Sequence, residues 1–88
     1  MDIKFLPKFN KGFSILSSSD QRGVKEAIIL FRDNPLDPSL HNHALDKPMI
    51  GKRSISAWDN LRIIFREKWE YIEVLMLDVG THDDVYLR

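Results

Sequence analysis

The chain has 88 residues, of which 43% are hydrophobic and 30% are charged, a balance typical of one globular domain rather than a disordered chain. Thirteen basic residues offset thirteen acidic ones, so overall charge indicates no particular partner. The absence of cysteine excludes disulfides, thiolate catalysis and cysteine-ligated zinc. The sequence has neither a signal-peptide pattern nor an apolar run near the ~20 residues that span a bilayer. We therefore expect a cytoplasmic protein with no membrane contact, folded as a single domain over residues 1–88.

The first part of the chain is predicted to form a strand followed by a helical hairpin. A short apolar alternation marks a strand that Pro7 ends, because proline cannot donate a ladder hydrogen bond. Apolar residues at helical spacing then predict two helices, one through Phe9, Phe13 and Leu16 and one through Val24, Ala27, Ile28 and Phe31. Three consecutive serines suggest the turn between them, with Asp20 as N-cap of the second helix. Asn34-Pro35 ends that helix.

The second part is predicted to form an antiparallel meander. Residues 35–50 contain three prolines and no clear period, which indicates a loop. Three strands are expected at 51–57, 61–68 and 71–79, with turns at 58–60 and 69–70. The third strand is nearly all apolar, which is typical of a central position. Gly80 is expected to end it, and residues 83–87 to add a short edge segment. The fold class is therefore α+β, with an N-terminal strand, a helical hairpin and a three- to four-stranded antiparallel meander.

Strand alternation separates the side chains of the meander onto two faces. The apolar face, expected under the helices, also carries Arg53, which would need a carboxylate or the free carbonyls of a helix end as its partner. The other face is expected to be open and to carry Lys52, Ser54, Ser56, Arg62 and Arg66. Such a face is either simply solvated or a phosphate-binding surface. Arginine suits phosphate contacts, and histidine moves protons near neutral pH.

Four segments in this order resemble the RelE superfamily of bacterial toxins, in particular its YafQ-like branch. They are HAL at 43–45, GKRSI at 51–55, LRIIF at 61–65, and GTH at 80–82 with Tyr86 four positions after the histidine. The resemblance covers the whole length, including the order of strand, two helices and strands. It implies a RelE-like fold and the toxin half of a type II toxin–antitoxin pair.

The resemblance also implies an activity, namely ribosome-dependent cleavage of mRNA without a metal or cofactor, by attack of a ribose 2′-OH on the adjacent phosphate. His43 and His82 would form the acid–base pair, Arg62 would hold the phosphate, and Tyr86 would stack on a base or orient the phosphate. The implied RNA- or phosphate-binding residues are Lys52, Ser54, Ser56 and Arg66. The implied partners are a cognate antitoxin, the ribosome and mRNA.

One departure keeps other functions open. YafQ-like enzymes carry an aspartate and a histidine on the first meander strand, where this chain has Ser54 and Ser56. Neither serine is an effective acid or base at neutral pH. The alternatives are a ParE-like inhibitor of DNA gyrase and a non-catalytic, degenerate relative. In either toxin, an antitoxin segment is expected to fold onto exposed apolar residues (Trp58, Ile64, Trp69) and a groove between the two helices.

Overall fold

The computed structural model describes residues 1–58 and 60–86. In this part of the chain, five strands and three α-helices follow one another as β1 (Asp2–Phe5), α1 (Pro7–Ser14), α2 (Ser18–Asp33), β2 (His43–Ala44), β3 (Arg53–Ser56), β4 (Leu61–Lys68), β5 (Glu73–Thr81) and α3 (His82–Tyr86). A single 3-10 turn at Pro38–Leu40 precedes β2. The predicted α+β class and the predicted order of elements are confirmed. None of the helices in these residues is both long and apolar enough to span a bilayer.

All five strands belong to one sheet, in the order β1-β5-β4-β3-β2. Strands β3, β4 and β5 form the predicted antiparallel meander, and β2 extends it at one edge. Strand β1 pairs in parallel with β5 at the other edge. The third meander strand therefore lies between two neighbours, as its apolar sequence predicts.

Helices α1 and α2 cover one face of the sheet and enclose the core with it. The core contains Phe9, Val24, Ala27, Phe31, Leu40, Ile55, Leu61, Ile63, Phe65, Val74, Met76 and Val79. Phe31 of α2 meets Phe65 of β4 edge to face, with 5.0 Å between ring centroids. Helix α1 lies so close to β5 that a Cβ on Gly12 would sit 2.6 Å from the Val79 carbonyl oxygen. The glycine is therefore required by this close approach rather than by its backbone conformation.

Several predicted boundaries are wrong. Ser17, not Asp20, caps α2, because its hydroxyl accepts a hydrogen bond from the Asp20 amide at 3.1 Å. Strand β5 continues through Gly80 to Thr81 and begins only at Glu73. The late start follows from the preceding turn at 69–71, where all three residues have positive φ. The predicted loop at 35–50 contains the 3-10 turn and β2. Asp59, in the turn expected at 58–60, lies outside the described residues.

The largest difference concerns the chain after β5. Residues 83–86 of the edge segment predicted at 83–87 belong instead to helix α3. Leu87, the last residue of the predicted segment, lies outside the described residues. Helix α3 packs on the sheet face opposite α1 and α2, and its Val85 is buried. Ile64 and Ser54, both expected on an open face, are 1% and 0% exposed. Ile64 is therefore not an exposed docking residue.

Candidate active site

Strand pairing places the predicted catalytic residues on the face that α3 partly covers. His43 pairs with Ser54 across β2 and β3, and Ser54 pairs with Ile64 across β3 and β4. Arg62 pairs with Ser56 and lies two residues from Ile64. Paired residues point to the same side of a sheet, as do residues two apart in a strand. His43 and Arg62 therefore project from the same face, separated by β3.

A cavity of about 420 Å³ on this face is lined by His43, Leu45, Arg62, His82 and Tyr86. It brings together all four residues that the sequence predicts to be catalytic. The two histidines come from strand β2 and helix α3, and 39 positions separate His43 from His82 in the sequence. Within the described residues, no group of three or more His, Asp or Glu side chains is arranged to hold a metal ion.

The His43 ring is oriented by its own backbone neighbourhood. Its Nδ1 lies 2.7 Å from the carbonyl oxygen of His41, which adopts a left-handed conformation with φ 51°. A carbonyl oxygen can only accept, so Nδ1 carries the proton and donates it. In the neutral ring, Nε2 is then left with a lone pair. His43 is thus set up to accept a proton at Nε2.

Asn42 anchors the segment that carries His43. Its side-chain nitrogen donates to the Pro35 carbonyl at 2.9 Å and to the Tyr71 hydroxyl at 3.0 Å. Its side-chain oxygen accepts from Arg53 Nε at 2.9 Å. The predicted partner of Arg53, a carboxylate or a helix end, is therefore wrong, because a neutral amide takes that place. Sequence reasoning missed Asn42, whose role shows only once the loop, β3 and the 69–71 turn come together.

Tyr86 and His82 are held at the opposite wall of the cavity. The Tyr86 hydroxyl donates to Ser54 Oγ at 2.8 Å. The Tyr86 ring packs edge to face on the His82 imidazole, with 4.5 Å between the ring centroids. His82 Nδ1 lies 3.6 Å from Asp83 Oδ1, so the two form an ion pair when the imidazole is protonated. Ser54 is fully buried beneath Tyr86, contrary to its expected place on an open face. Its visible contribution is to position Tyr86.

Arg62 lies between this cavity and a second one. The second cavity, about 440 Å³, is lined by Ser39, His41, His43, Ser56, Ala57 and Arg62. The half-buried Arg62 donates from Nη1 to the Leu61 carbonyl at 2.9 Å. A guanidinium that borders both cavities provides a positive charge where they meet. Ser56 is half-buried at the edge of this region.

The remaining predicted phosphate-binding residues lie elsewhere on the same face. Lys52 and Arg66 line a groove of about 540 Å³ that also contains Lys8 and Asp78. Asp78 Oδ2 lies 3.5 Å from Lys8 Nζ, and the aspartate is 4% exposed. Sequence reasoning missed Asp78, although an acid within the apolar run of 74–79 is a visible signal. The predicted basic surface is therefore divided between the cavity lined by His43 and Arg62 and a separate groove that contains Lys52 and Arg66.

This architecture is shared with solved bacterial toxins. YafQ from E. coli strain BL21(DE3) has a TM-score of 0.81 at 19% sequence identity, with 97% of each chain covered. A copper-bound mutant toxin from Helicobacter pylori has a TM-score of 0.77 at 24% identity, with 98% of this chain and 99% of that chain covered. YafQ in the E. coli DinJ–YafQ complex has a TM-score of 0.78 at 19% identity, with 97% of each chain covered. No protein-family model and no curated protein matches the sequence.

The chain therefore has the fold of the RelE/ParE toxins. Within that class its fold is similar to that of YafQ over nearly the whole length of both chains. The RelE-like, YafQ-like fold expected from the four sequence segments is confirmed.

Proposed function

We propose that the protein is the toxin of a type II toxin–antitoxin system and acts as a ribosome-dependent, metal-independent mRNA endonuclease in the cytoplasm. The observation that supports this most strongly is the single cavity lined by His43, Arg62, His82 and Tyr86. It combines two imidazoles with one guanidinium, which can supply the base, the acid and the positive charge used in phosphate-ester cleavage by a 2′-OH.

In the proposed reaction, His43 Nε2 takes the proton of the ribose 2′-OH as its oxygen bonds to the adjacent phosphorus. Arg62 stabilises the negative charge that grows on the phosphate oxygens. The bond from phosphorus to the 5′-oxygen breaks, and His82 donates a proton to that oxygen. The products are a 2′,3′-cyclic phosphate and a free 5′-hydroxyl. The base assignment of His43 follows from its Nδ1 hydrogen bond to a carbonyl, which leaves Nε2 as the acceptor.

Ser54 and Ser56 affect the expected rate. Relatives of the YafQ-like branch are expected to place ionisable groups at these strand positions, whereas here one serine positions Tyr86 and the other borders the second cavity. The proton transfers therefore depend on the two histidines alone. We expect a slower nuclease than those relatives. The exposed Arg66 and half-buried Lys52 would hold RNA phosphates farther along the face.

The proposed partner is an antitoxin with an amphipathic helix. A groove of about 400 Å³ between β1, α1 and α2 is lined by Phe5, Phe9, Asn10, Phe13, Lys25, Ile28 and Ile29. Ile29 is 69% exposed, which is unusual for a large apolar residue unless it meets a partner. Lys25 Nζ lies 5.9 Å from the Phe13 ring centroid and would face an acidic residue of the partner helix. A second DinJ–YafQ structure from E. coli shows that one protein of this fold forms a toxin–antitoxin complex.

Growth arrest and RNA 5′-end mapping after induction test the proposal. Expression without an antitoxin should arrest growth, block translation and create new 5′ ends within translated messages. Arg62→Ala should lower cleavage on the order of a hundredfold, equivalent to about 3 kcal/mol of transition-state stabilisation. Arg32→Ala is a matched control, because Arg32 is an exposed arginine near the end of α2. Growth arrest with normal translation, accompanied by a DNA-damage response, would contradict the proposal and favour gyrase inhibition.

A further inference from the structure

A third cavity adjoins the catalytic region on the side away from Tyr86. It measures about 260 Å³ and lies among α2, the 3-10 turn and the end of β3, with Glu26, Leu30 and Trp58 in its lining. It shares Ser39, Ser56 and Ala57 with the cavity that contains His43 and Arg62. The three cavities are therefore neighbours, and the third lies where α2 meets the end of β3. The volume is below the about 300–1,000 Å³ of pockets for drug-sized ligands and suits a single ring system.

Trp58 supplies a fixed aromatic surface in this cavity. Its indole lies directly against α2 at Gly23, where an added Cβ would come within 2.5 Å of the ring. Glycine inside a helix weakens it, so its presence here is explained by the space the indole needs. Trp58 is nevertheless 38% exposed. One side of the ring is thus supported by the helix while part of its surface remains accessible, as required of a residue that stacks on a nucleobase.

Among the residues that line the cavity, Glu26 is the acidic one, and it is exposed. The Ser39 hydroxyl already donates to Asp37 Oδ1 at 2.7 Å, which leaves its oxygen as an acceptor. Glu26, when ionised, can only accept. A ligand that hydrogen-bonds to the Glu26 carboxylate must therefore bring the donor.

We propose that this cavity binds a nucleobase of the RNA next to the cleaved phosphate, stacked against Trp58, and prefers cytosine to uracil. Cytosine carries an amino group at C4 where uracil carries a carbonyl oxygen, and acidic side chains accept hydrogen bonds from that amino group. The inference rests on the proposed function, because it assigns the cavity to the same RNA substrate. It adds a base-binding site and a base preference to the proposed phosphate chemistry.

Tryptophan fluorescence tests the site without any cleavage assay. The sequence contains two tryptophans, Trp58 and Trp69, so Trp69→Phe leaves Trp58 as the only one. In Trp69→Phe, cytidine 3′-monophosphate should quench the fluorescence saturably, with an apparent Kd several-fold lower than that of uridine 3′-monophosphate. The matched variant Trp58→Phe should show no saturable quenching. Glu26→Gln should bring the two Kd values close to each other, because glutamine can both donate and accept.

Several outcomes would overturn the inference. It is wrong if neither nucleotide quenches the fluorescence of Trp58. It is also wrong if both nucleotides bind with equal affinity to the protein that retains Glu26. Should Trp58→Phe fail to fold, the indole N–H resonance of Trp58 in the parent chain decides instead, since it must shift with cytidine 3′-monophosphate. Binding at Trp58 without RNA cleavage would refute the proposed function and leave the base site standing. Cleavage without any response of Trp58 would refute only the base site.

Discussion

Replacing Asn42 with alanine should destabilise the protein and release the His43 ring at the same time. The substitution removes two neutral hydrogen bonds, to Pro35 and Tyr71, and one from the charged Arg53. Neutral bonds contribute about 0.5–1.5 kcal/mol each, and bonds to charged groups about 1.5–3 kcal/mol. Asn42 is half-buried, so water recovers part of this loss. We expect a net cost of about 2 kcal/mol, or a fall in Tm of roughly 8–16 °C for a domain of this size.

Thermal unfolding and NMR of the histidine ring nitrogens measure the two effects separately. In the parent chain, His43 should show the tautomer with the proton on Nδ1, because that nitrogen donates to the His41 carbonyl. In Asn42→Ala, the loop is no longer held, and the ring should return toward the Nε2–H tautomer that predominates in water. The measurement is made well below the Tm of the variant, so that the change reports the loop and not unfolding.

Tyr71→Phe is the matched control for this network. It removes one neutral hydrogen bond and keeps the aromatic ring. The centroid of that ring lies 5.9 Å from the centroid of Phe31 and 6.3 Å from that of Phe65. Its cost should be about 1 kcal/mol, with the His43 tautomer unchanged. The reasoning is refuted if Asn42→Ala leaves Tm unaltered, or if it lowers Tm while the tautomer stays as in the parent. The second result would make Asn42 a purely structural residue.

Three further substitutions test the fold around the site. Phe31→Ala removes a fully buried ring and should cost about 3–5 kcal/mol, measured by urea unfolding. Gly12→Ala should destabilise the protein by at least about 1 kcal/mol in the same assay, although alanine has the better helix propensity. The reason is that the alanine Cβ would meet the Val79 carbonyl oxygen. An unchanged unfolding midpoint would contradict this close approach. Hydrogen bonds from Ser39 lower the pKa of Asp37, so the stabilisation they bring is present above the unfolded-state pKa and is lost as pH falls through the folded value. Asp37→Ala should therefore flatten the acid side of the stability–pH curve, and a curve identical to the parent's would argue against this contribution.

The elements that depend on local patterns could be predicted from the sequence. The apolar spacing of α2 identifies its buried face, and the alternation in β4 separates Ile63 from Arg62. A nearly continuous apolar run correctly marks β5 as a central strand. These features succeed because burial on one or both faces requires a period that the sequence shows directly.

The features that failed depend on tertiary contacts. Strand β2 has only two residues and no period of its own, and it exists because it pairs with Ser54 and Arg53. Helix α3 begins immediately after β5, and a five-residue helix leaves almost no pattern to detect. Because the sequence does not predict α3, it does not predict the burial of Ser54 and Ile64 beneath that helix either. The grouping of the predicted catalytic residues required the resemblance, since no spacing rule connects His43 to His82.

Cleavage of ribosome-bound mRNA by purified protein, comparing the parent with His82→Gln, tests the central claim most directly. Glutamine keeps hydrogen bonding but cannot transfer the proton, and the half-exposed His82 can be replaced without disturbing the core. The parent should produce fragments with a 5′-hydroxyl and a 2′,3′-cyclic phosphate. A folded His82→Gln variant should cleave on the order of a hundredfold more slowly, within the usual range for general acid–base groups. Equal cleavage by both proteins would contradict the assignment of His82, and no cleavage by the parent on translating ribosomes would contradict the proposed function itself.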